Sequence, residues 1–226
     1  MIATGVHYRR LDLPRMEEFE SASVYYAATL MEAQLCSGNP VAVVGGGNSA
    51  GQATVFLSKH ASPVHLIVRE ADLSAHMSRY LIDRIERSPN AQVHVHTEVR
   101  EPLGEDGILQ RLVVEDNRTG KRRTIDARLL FVFIGAQPHT RWLGHELALD
   151  DKGFVLTGPA AASATDQNGH QPLLLETSLP GVLAVGDVRS GSVKRVASAV
   201  GEGAMAVRLA YEHLQGTGQV QQTAGG

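Results

Sequence analysis

Val41-Ala42-Val43-Val44-Gly45-Gly46-Gly47-Asn48-Ser49-Ala50-Gly51-Gln52-Ala53 is the stretch on which the reading of this chain turns. Four apolar, mostly β-branched residues in a row suit a strand buried on both faces, as parallel strands are. Gly45, Gly47 and Ala50 then stand in the G-x-G-x-x-A spacing of a dinucleotide-binding turn. Gly45 permits the tight turn out of the strand, and Gly47 lets backbone approach a pyrophosphate. Ala50 keeps the next helix close to the sheet, and that helix's first N–H groups carry a partial positive charge suited to phosphate. The residues expected to line this site are Gly45, Gly46, Gly47, Asn48, Ser49 and Ala50.

Outward from the turn, residues 49–60 read as a helix with Ala53, Phe56 and Leu57 on one face, and residues 64–68 as a second apolar strand ending in Arg69-Glu70. Together they make a βαβ unit. Residues 77–87 read as an amphipathic helix with Tyr80, Leu81 and Ile85 inward, and residues 93–97 alternate like a half-buried strand. Residues 109–114 and 123–126 fit an antiparallel hairpin about the polar turn at 117–120. Residues 129–134 are another buried strand, and Gly135 to Pro138 mark a boundary. Beyond it come a short strand at 154–156, a small polar loop at 158–171, a strand at 182–185 closed by Gly186-Asp187, and a long helix over 198–214. The tail from residue 215 is expected to be disordered. His94 and His96 share one face of the alternating segment; with no Cys or carboxylate cluster beside them they read as surface strand histidines, and no metal site is expected.

The 226 residues carry a net charge of −3, with 43% hydrophobic and 20% charged residues, as an ordinary globular protein does. That balance argues against a nucleic-acid surface, and no apolar run is long enough for a membrane helix. A single cysteine, Cys36, excludes an internal disulfide and points to a reducing cytoplasm.

Four segments in order resemble one family: Ala3-Thr4-Gly5 with Tyr8-Arg9, residues 43–50, Phe133-Ile134-Gly135-Ala136-Gln137-Pro138-His139-Thr140, and residues 183–187 with the helix after them. They are similar to the thioredoxin reductase-like, FAD- and NAD(P)-dependent pyridine nucleotide-disulfide oxidoreductases (class II). Met77-Ser78-Arg79-Tyr80-Leu81 and Gly191-Ser192-Val193-Lys194-Arg195 look most like the subgroup fused to cyclic-nucleotide-sensor domains. The resemblance implies an α/β fold in which a Rossmann-like NAD(P)-binding domain, a βαβ parallel sheet plus antiparallel hairpin at residues 21–139, is inserted in a partial FAD-binding Rossmann-like domain at 1–20 and 140–214. It implies FAD and NADPH as cofactors, with NADH as the alternative, a homodimer, and hydride passing from nicotinamide to flavin and on to an unknown acceptor. Ile134 and Gly135 would border the cofactors. Asp187 after Gly186 would accept a ribityl hydroxyl, an ionised acceptor giving a stronger hydrogen bond. The helix from Val196, with Lys194 and Arg195, would face the flavin edge.

Two departures limit this. Ala27 and Leu30 stand where the family's Cys-x-x-Cys pair lies, so no thiolate can take electrons from flavin or attack a disulfide. The chain also starts about a hundred residues into the family pattern, past the glycines that hold the ADP half of FAD. That suggests a fragment, or a missing N-terminal segment or partner chain, and leaves the strand at 183–185 with an apolar face exposed. An alternative is a non-catalytic NAD(P)H-binding module. At the end of the second strand Arg69 favours a 2′-phosphate, whereas Glu70 would repel one if it pointed inward.

Overall fold

The computed structural model describes residues 1–226 apart from 21, 37, 166–171 and 217–226. The tail expected to be disordered lies, from residue 217 on, outside the described residues. In chain order, β1 (Val6–Tyr8), α1 (Met16–Phe19), β2 (Val24–Tyr25) and α2 (Leu30–Cys36) lead into β3 (Val41–Val44), α3 (Asn48–Leu57), β4 (Val64–Ile67), α4 (Arg79–Glu86) and β5 (Ala91–His94). Then come β6 (Thr97–Glu105), β7 (Ile108–Asp116), β8 (Arg122–Asp126), β9 (Leu129–Val132), β10 (Ala136–Pro138), α5 (Pro159–Thr165) and α6 (Val196–Gly216). Contacts divide the chain into two compact units, Tyr8–Gly135 and Met1–His7 with Ala136–Gly226.

The Tyr8–Gly135 unit has three layers. Its centre is a parallel sheet in the order β2-β9-β3-β4-β5. All residues of β3, β4 and β9 are buried, which explains the unbroken apolar runs of β3 and β9 and a β4 that is apolar but for His65. Successive side chains still point to opposite faces. Val41, Val43, Val64, Leu66 and Phe131 meet Ala50, Ala53 and Leu57 of α3 and Leu81 and Ile85 of α4. Ala42, Val44, Ile67, Leu130 and Val132 meet Val99, Leu112, Val114 and Ile125 of the second sheet, with Met16 and Phe19 of α1. One set of strands therefore organises both cores.

That second sheet is three-stranded, β6-β7-β8, not a single hairpin. β6 escapes a pattern reading because Pro102 and Gly104 interrupt it, and the ladder has register shifts between Val99 and Glu101 and between Leu103 and Gly104. As an edge strand it tolerates proline and bulges. In α4, Leu81 and Ile85 are buried as the periodicity implies, whereas Tyr80 is 65% exposed.

The histidines differ from expectation. β5 ends at His94, and His96 turns out of the strand with φ +49°, its N–H bonded to the Glu70 carbonyl. His94 is half-buried and lies 3.0 Å, ring nitrogen to ring nitrogen, from buried His65 on β4; Arg123 reaches the other nitrogen of His94 at 3.0 Å. Parallel pairing of β4 with β5 brings the two rings together, a relation that periodicity within one strand does not contain. Burial, with the nearby Arg123 charge, lowers both histidines, His94 to about 4. Both are therefore neutral in the folded state and protonate more readily once unfolded. The His94 contribution is fully present above about pH 6.5 and is lost as pH falls toward about 4, and that of His65 is lost in the same direction. The urea midpoint of the protein should drop between pH 7 and pH 5, and should drop less in His94→Asn; equal slopes for the two proteins would refute this.

The other unit is built on two smaller cores. Ile2, Leu143, Val155, Ala184 and Val188 form one, and Leu175, Leu183, Val185 and Ala206 the other. The segment at 183–185 does not expose an apolar face as expected: these three residues are 0–5% exposed, covered by Ile2 and Val188 on one side and α6 on the other. Apolar exposure falls instead on α6, where Val196, Val200, Val207, Tyr211 and Leu214 are exposed and Ala206 is the fully buried residue among those described. Residues 159–165, expected as loop, form α5; Pro159 at its first position and three alanines after it carried that signal. Residues 166–171 of the expected loop lie outside the described residues.

Candidate functional site

The parallel sheet changes direction of growth at β3: β4 and β5 are added on one side, β9 and β2 on the other. Such a switch point opens a crevice at the carboxyl ends of the strands, where open α/β sheets bind ligands. Three sequence-predicted segments meet at that edge: Gly45 after β3, Arg69-Glu70 after β4, and Ile134-Gly135 after β9.

Gly45 is the residue the geometry requires. Its φ is +142°, and a Cβ there would lie 2.4 Å from the Phe133 carbonyl oxygen and 3.2 Å from the Ala50 methyl. Its N–H bonds to the Ile67 carbonyl at 3.1 Å, which ties the turn to β4. Gly47 precedes α3 with φ −94°, and a Cβ there would meet nothing nearer than the His76 carbonyl at 4.0 Å. The space over Gly47 is open, and the first N–H groups of α3, beginning at Asn48 and Ser49, face it without an acidic side chain in the first turn. Ala50 is fully buried under the turn. The Asn48 carboxamide oxygen is already occupied, accepting the Ser78 N–H at 2.7 Å and so docking the start of α4 against the start of α3. Gly51, which the spacing does not single out, matters for the same packing: a Cβ there would lie 2.7 Å from the Met77 sulfur.

At the end of β4 the Glu70 carboxylate turns inward. Its Oε2 is 2.9 Å from where a Cβ on Gly46 would stand, and its Oε1 accepts from Arg69 Nε at 2.9 Å. Arg69 is 77% exposed at its side chain and Glu70 23%. Burial works against the Glu70 charge, but hydrogen bonds from Arg69 and its own N–H, with the Arg69 and His76 charges, outweigh it and hold the carboxyl below its usual range. Gly135 has φ +100°, and its carbonyl accepts the Arg9 N–H at 3.0 Å; Ile134 packs on the core beneath β9.

The second candidate region lies in the other unit. Gly186 (φ +73°) opens a 3₁₀ turn over Gly186–Val188. Its N–H donates to Glu202 of α6 at 2.7 Å, and Glu202 is also bonded to Arg189 through both carboxylate oxygens. The Asp187 carboxylate accepts no hydrogen bond among the described residues, and the Lys194 ammonium lies close enough to feel its charge. Lys194 reaches the Asp187 carbonyl at 3.1 Å and lies 4.1 Å from the Phe154 ring centroid, so its ammonium is held by the fold. Burial lowers it, against the opposing pull of Asp187 and Asp150. Arg195 and Val196 are exposed at the start of α6. Glu202 and Arg189, which shape this turn, gave no motif signal.

The chain holds one buried thiol and no dithiol. Ala27 and Leu30 sit in the loop before α2 and at its first residue, and Leu30 is 67% exposed. Cys36 is fully buried, donates to the Glu32 carbonyl, and is pushed up to about 11 by burial and the Glu32 charge. The Tyr26 hydroxyl donates to Glu20 at 2.6 Å and is pushed up to about 12 by burial and that bond. Among the described residues no three His, Cys, Asp or Glu side chains gather as a metal site, and no helix is long and apolar enough to cross a membrane.

The profile of the pyridine nucleotide-disulphide oxidoreductases matches residues 1–203. A Clostridium pasteurianum protein described as a 34.2 kDa protein in the rubredoxin operon is 31% identical over 216 residues, covering 96% of this chain and 64% of its own. NADPH-dependent thioredoxin reductase 3 of Arabidopsis thaliana is 34% identical over 214 residues, covering 94% of this chain and 38% of its own. The thioredoxin reductase structure from Streptococcus pyogenes superposes with a TM-score of 0.74 at 28% identity, over 95% of this chain and 65% of that one. The chain thus spans less than two thirds of the length of each. With the fingerprint turn at the sheet's switch point and nine-tenths of its length matched from the first residue on, the chain belongs to the pyridine nucleotide-disulphide oxidoreductase family.

Proposed function

We propose that this chain carries the nicotinamide-dinucleotide site and part of the FAD site of a flavoprotein oxidoreductase of thioredoxin reductase type, one that serves its acceptor without a dithiol of its own. The observation that carries the reading is the turn at Gly45, a backbone conformation only glycine adopts freely, placed at the switch point of a parallel sheet with open space over Gly47. Gly45, Gly46, Gly47 and the N-terminus of α3 at Asn48, Ser49 and Ala50 would hold the dinucleotide's pyrophosphate, with Arg69, Ile134 and Gly135 at the edges of that crevice. The Asp187 carboxylate, without a hydrogen bond among the described residues and next to the Gly186 turn that Glu202 holds, fits a ribityl hydroxyl, and Lys194, Arg195 and Val196 lead into α6 beside it. When bound, FAD supplies the ring that accepts a hydride and passes its electrons on. The chain's own part is to position and to exclude: with Cys36 and Tyr26 both committed and shifted away from neutral, neither offers a thiolate or a ready proton. We assign residues 21–139 to the nucleotide domain and 1–20 with 140–214 to the FAD domain, and place the protein in a reducing cytoplasm, with the acceptor unidentified. Assembly as a homodimer rests on the resemblance alone.

The test is the absorbance spectrum of the purified protein after incubation with FAD, followed by oxidation of NADH or NADPH in the presence of a dye acceptor. Flavin bands and nucleotide oxidation are expected. A colourless protein that oxidises neither nucleotide would overturn the reading. The uncovered apolar face of α6 favours a second reading, a nucleotide-binding module without flavin; it predicts nucleotide binding with no flavin uptake.

A further inference from the structure

We infer that Glu70 makes this a site for the nicotinamide dinucleotide with a free adenosine 2′-hydroxyl, NADH, and against its 2′-phosphorylated counterpart; this rests on the nucleotide-binding reading of the Gly45 turn. A carboxylate at the end of the second strand of a βαβ dinucleotide unit is placed to accept from the ribose hydroxyls, whereas an arginine there suits a 2′-phosphate. Both residue types are present, as Arg69-Glu70, and tertiary geometry decides between them. Glu70 leans over the fingerprint, with Oε2 2.9 Å from the Cβ position of Gly46 and 77% of its side chain covered. Arg69 is the more open of the two: its side chain is 77% exposed, its Nε is bonded to Glu70 Oε1 at 2.9 Å, and its carbonyl accepts from Asn117 at 2.9 Å.

The following loop adds a second acid, Asp72, and one basic group, His76, whose charge acts on Glu70. Asp72 accepts from both the N–H and the hydroxyl of Ser74, at 2.7 and 2.6 Å, so Ser74 has spent its donor on a carboxylate. A 2′-phosphate brought to this edge would meet the Glu70 carboxylate and would compete with it for Arg69. A hydroxyl would find an acceptor already in place. Like charges brought together in a partly desolvated site are discriminated strongly, and loss of a matched hydrogen bond adds to it.

Equilibrium titration of the 226-residue protein with NADH and with NADPH, followed by nucleotide fluorescence, tests this. NADH should bind about tenfold or more tightly than NADPH. Glu70→Gln, which keeps the volume and removes the charge, should raise NADPH affinity about tenfold and shift NADH by only a few fold. A ratio well below tenfold in the native protein, or one in favour of NADPH, would overturn the inference while leaving the nucleotide site intact. An unchanged ratio in Glu70→Gln, with the unfolding midpoint preserved, would remove Glu70 as its cause and overturn it too. Binding of neither nucleotide would overturn the site reading and this inference together.

Discussion

Gly45→Val is expected to abolish nucleotide binding and to destabilise the Tyr8–Gly135 unit by about 3 kcal/mol or more. Two costs combine. The backbone at φ +142° is one that side-chain-bearing residues rarely adopt, and the added Cβ would stand 2.4 Å from the Phe133 oxygen and 3.0 Å from its carbonyl carbon. That carbonyl cannot easily retreat, because the Phe133 N–H is bonded to Val44 at 2.8 Å and β9 is locked in register with β3. The turn itself must therefore move, and with it the first N–H groups of α3. Gly47→Ala makes the informative contrast. Its φ of −94° and the open space beyond it should leave stability within about 0.5 kcal/mol of the native protein. Nucleotide affinity should still fall about tenfold or more, because the methyl group occupies the approach to the helix N-terminus. Thermal unfolding read beside a nucleotide titration separates the two effects. A Gly45→Val protein with native midpoint and affinity would show that the turn is not as described.

Glu202→Ala should cost the other unit about 2–3 kcal/mol. The side chains of Arg189 and Glu202 are only 19% and 15% exposed, and removal of the acid strands a guanidinium and the Gly186 N–H at once. Burial opposes the Glu202 charge, but bonds from Arg189 and the Gly186 N–H overcome it, and its carboxyl is held below the ordinary value of 4.5. The folded value being the lower one, this contribution is complete above about pH 4.5 and fades as pH falls through the folded value. Glu202→Gln, which keeps one acceptor, should lose roughly half as much. Hydrogen exchange at the Gly186 amide reads the local opening, and the unfolding midpoint reads the whole. Native exchange at Gly186 in Glu202→Ala would mean that the clamp does not hold the turn bearing Asp187.

Much of the fold was legible in local pattern. The buried runs at β3, β4 and β9, the helices α3 and α4, and the β7–β8 hairpin all have a period or composition that fixes their type before any partner is known. β6 was hidden because an edge strand with Pro102, Gly104 and two register shifts keeps no clean alternation. His94 was misjudged because its partners, His65 and Arg123, lie 29 residues away on either side and meet it only through the sheets.

By itself, the amino-acid sequence determined the position of the glycine turn between β3 and α3, because strand, glycine spacing and helix are local properties of consecutive residues. It also showed that these 226 residues hold no dithiol, since Ala27 and Leu30 stand at the pair's positions and Cys36 is the single cysteine. Tertiary structure decided which side chains face that turn. Glu70 rather than Arg69 leans over Gly46, and Glu202, sixteen residues beyond Gly186, holds the turn that presents Asp187. Arg69 and Glu70 lie beyond the end of β4 and are bonded to each other, so strand alternation does not choose between them, and only the packing around the turn does.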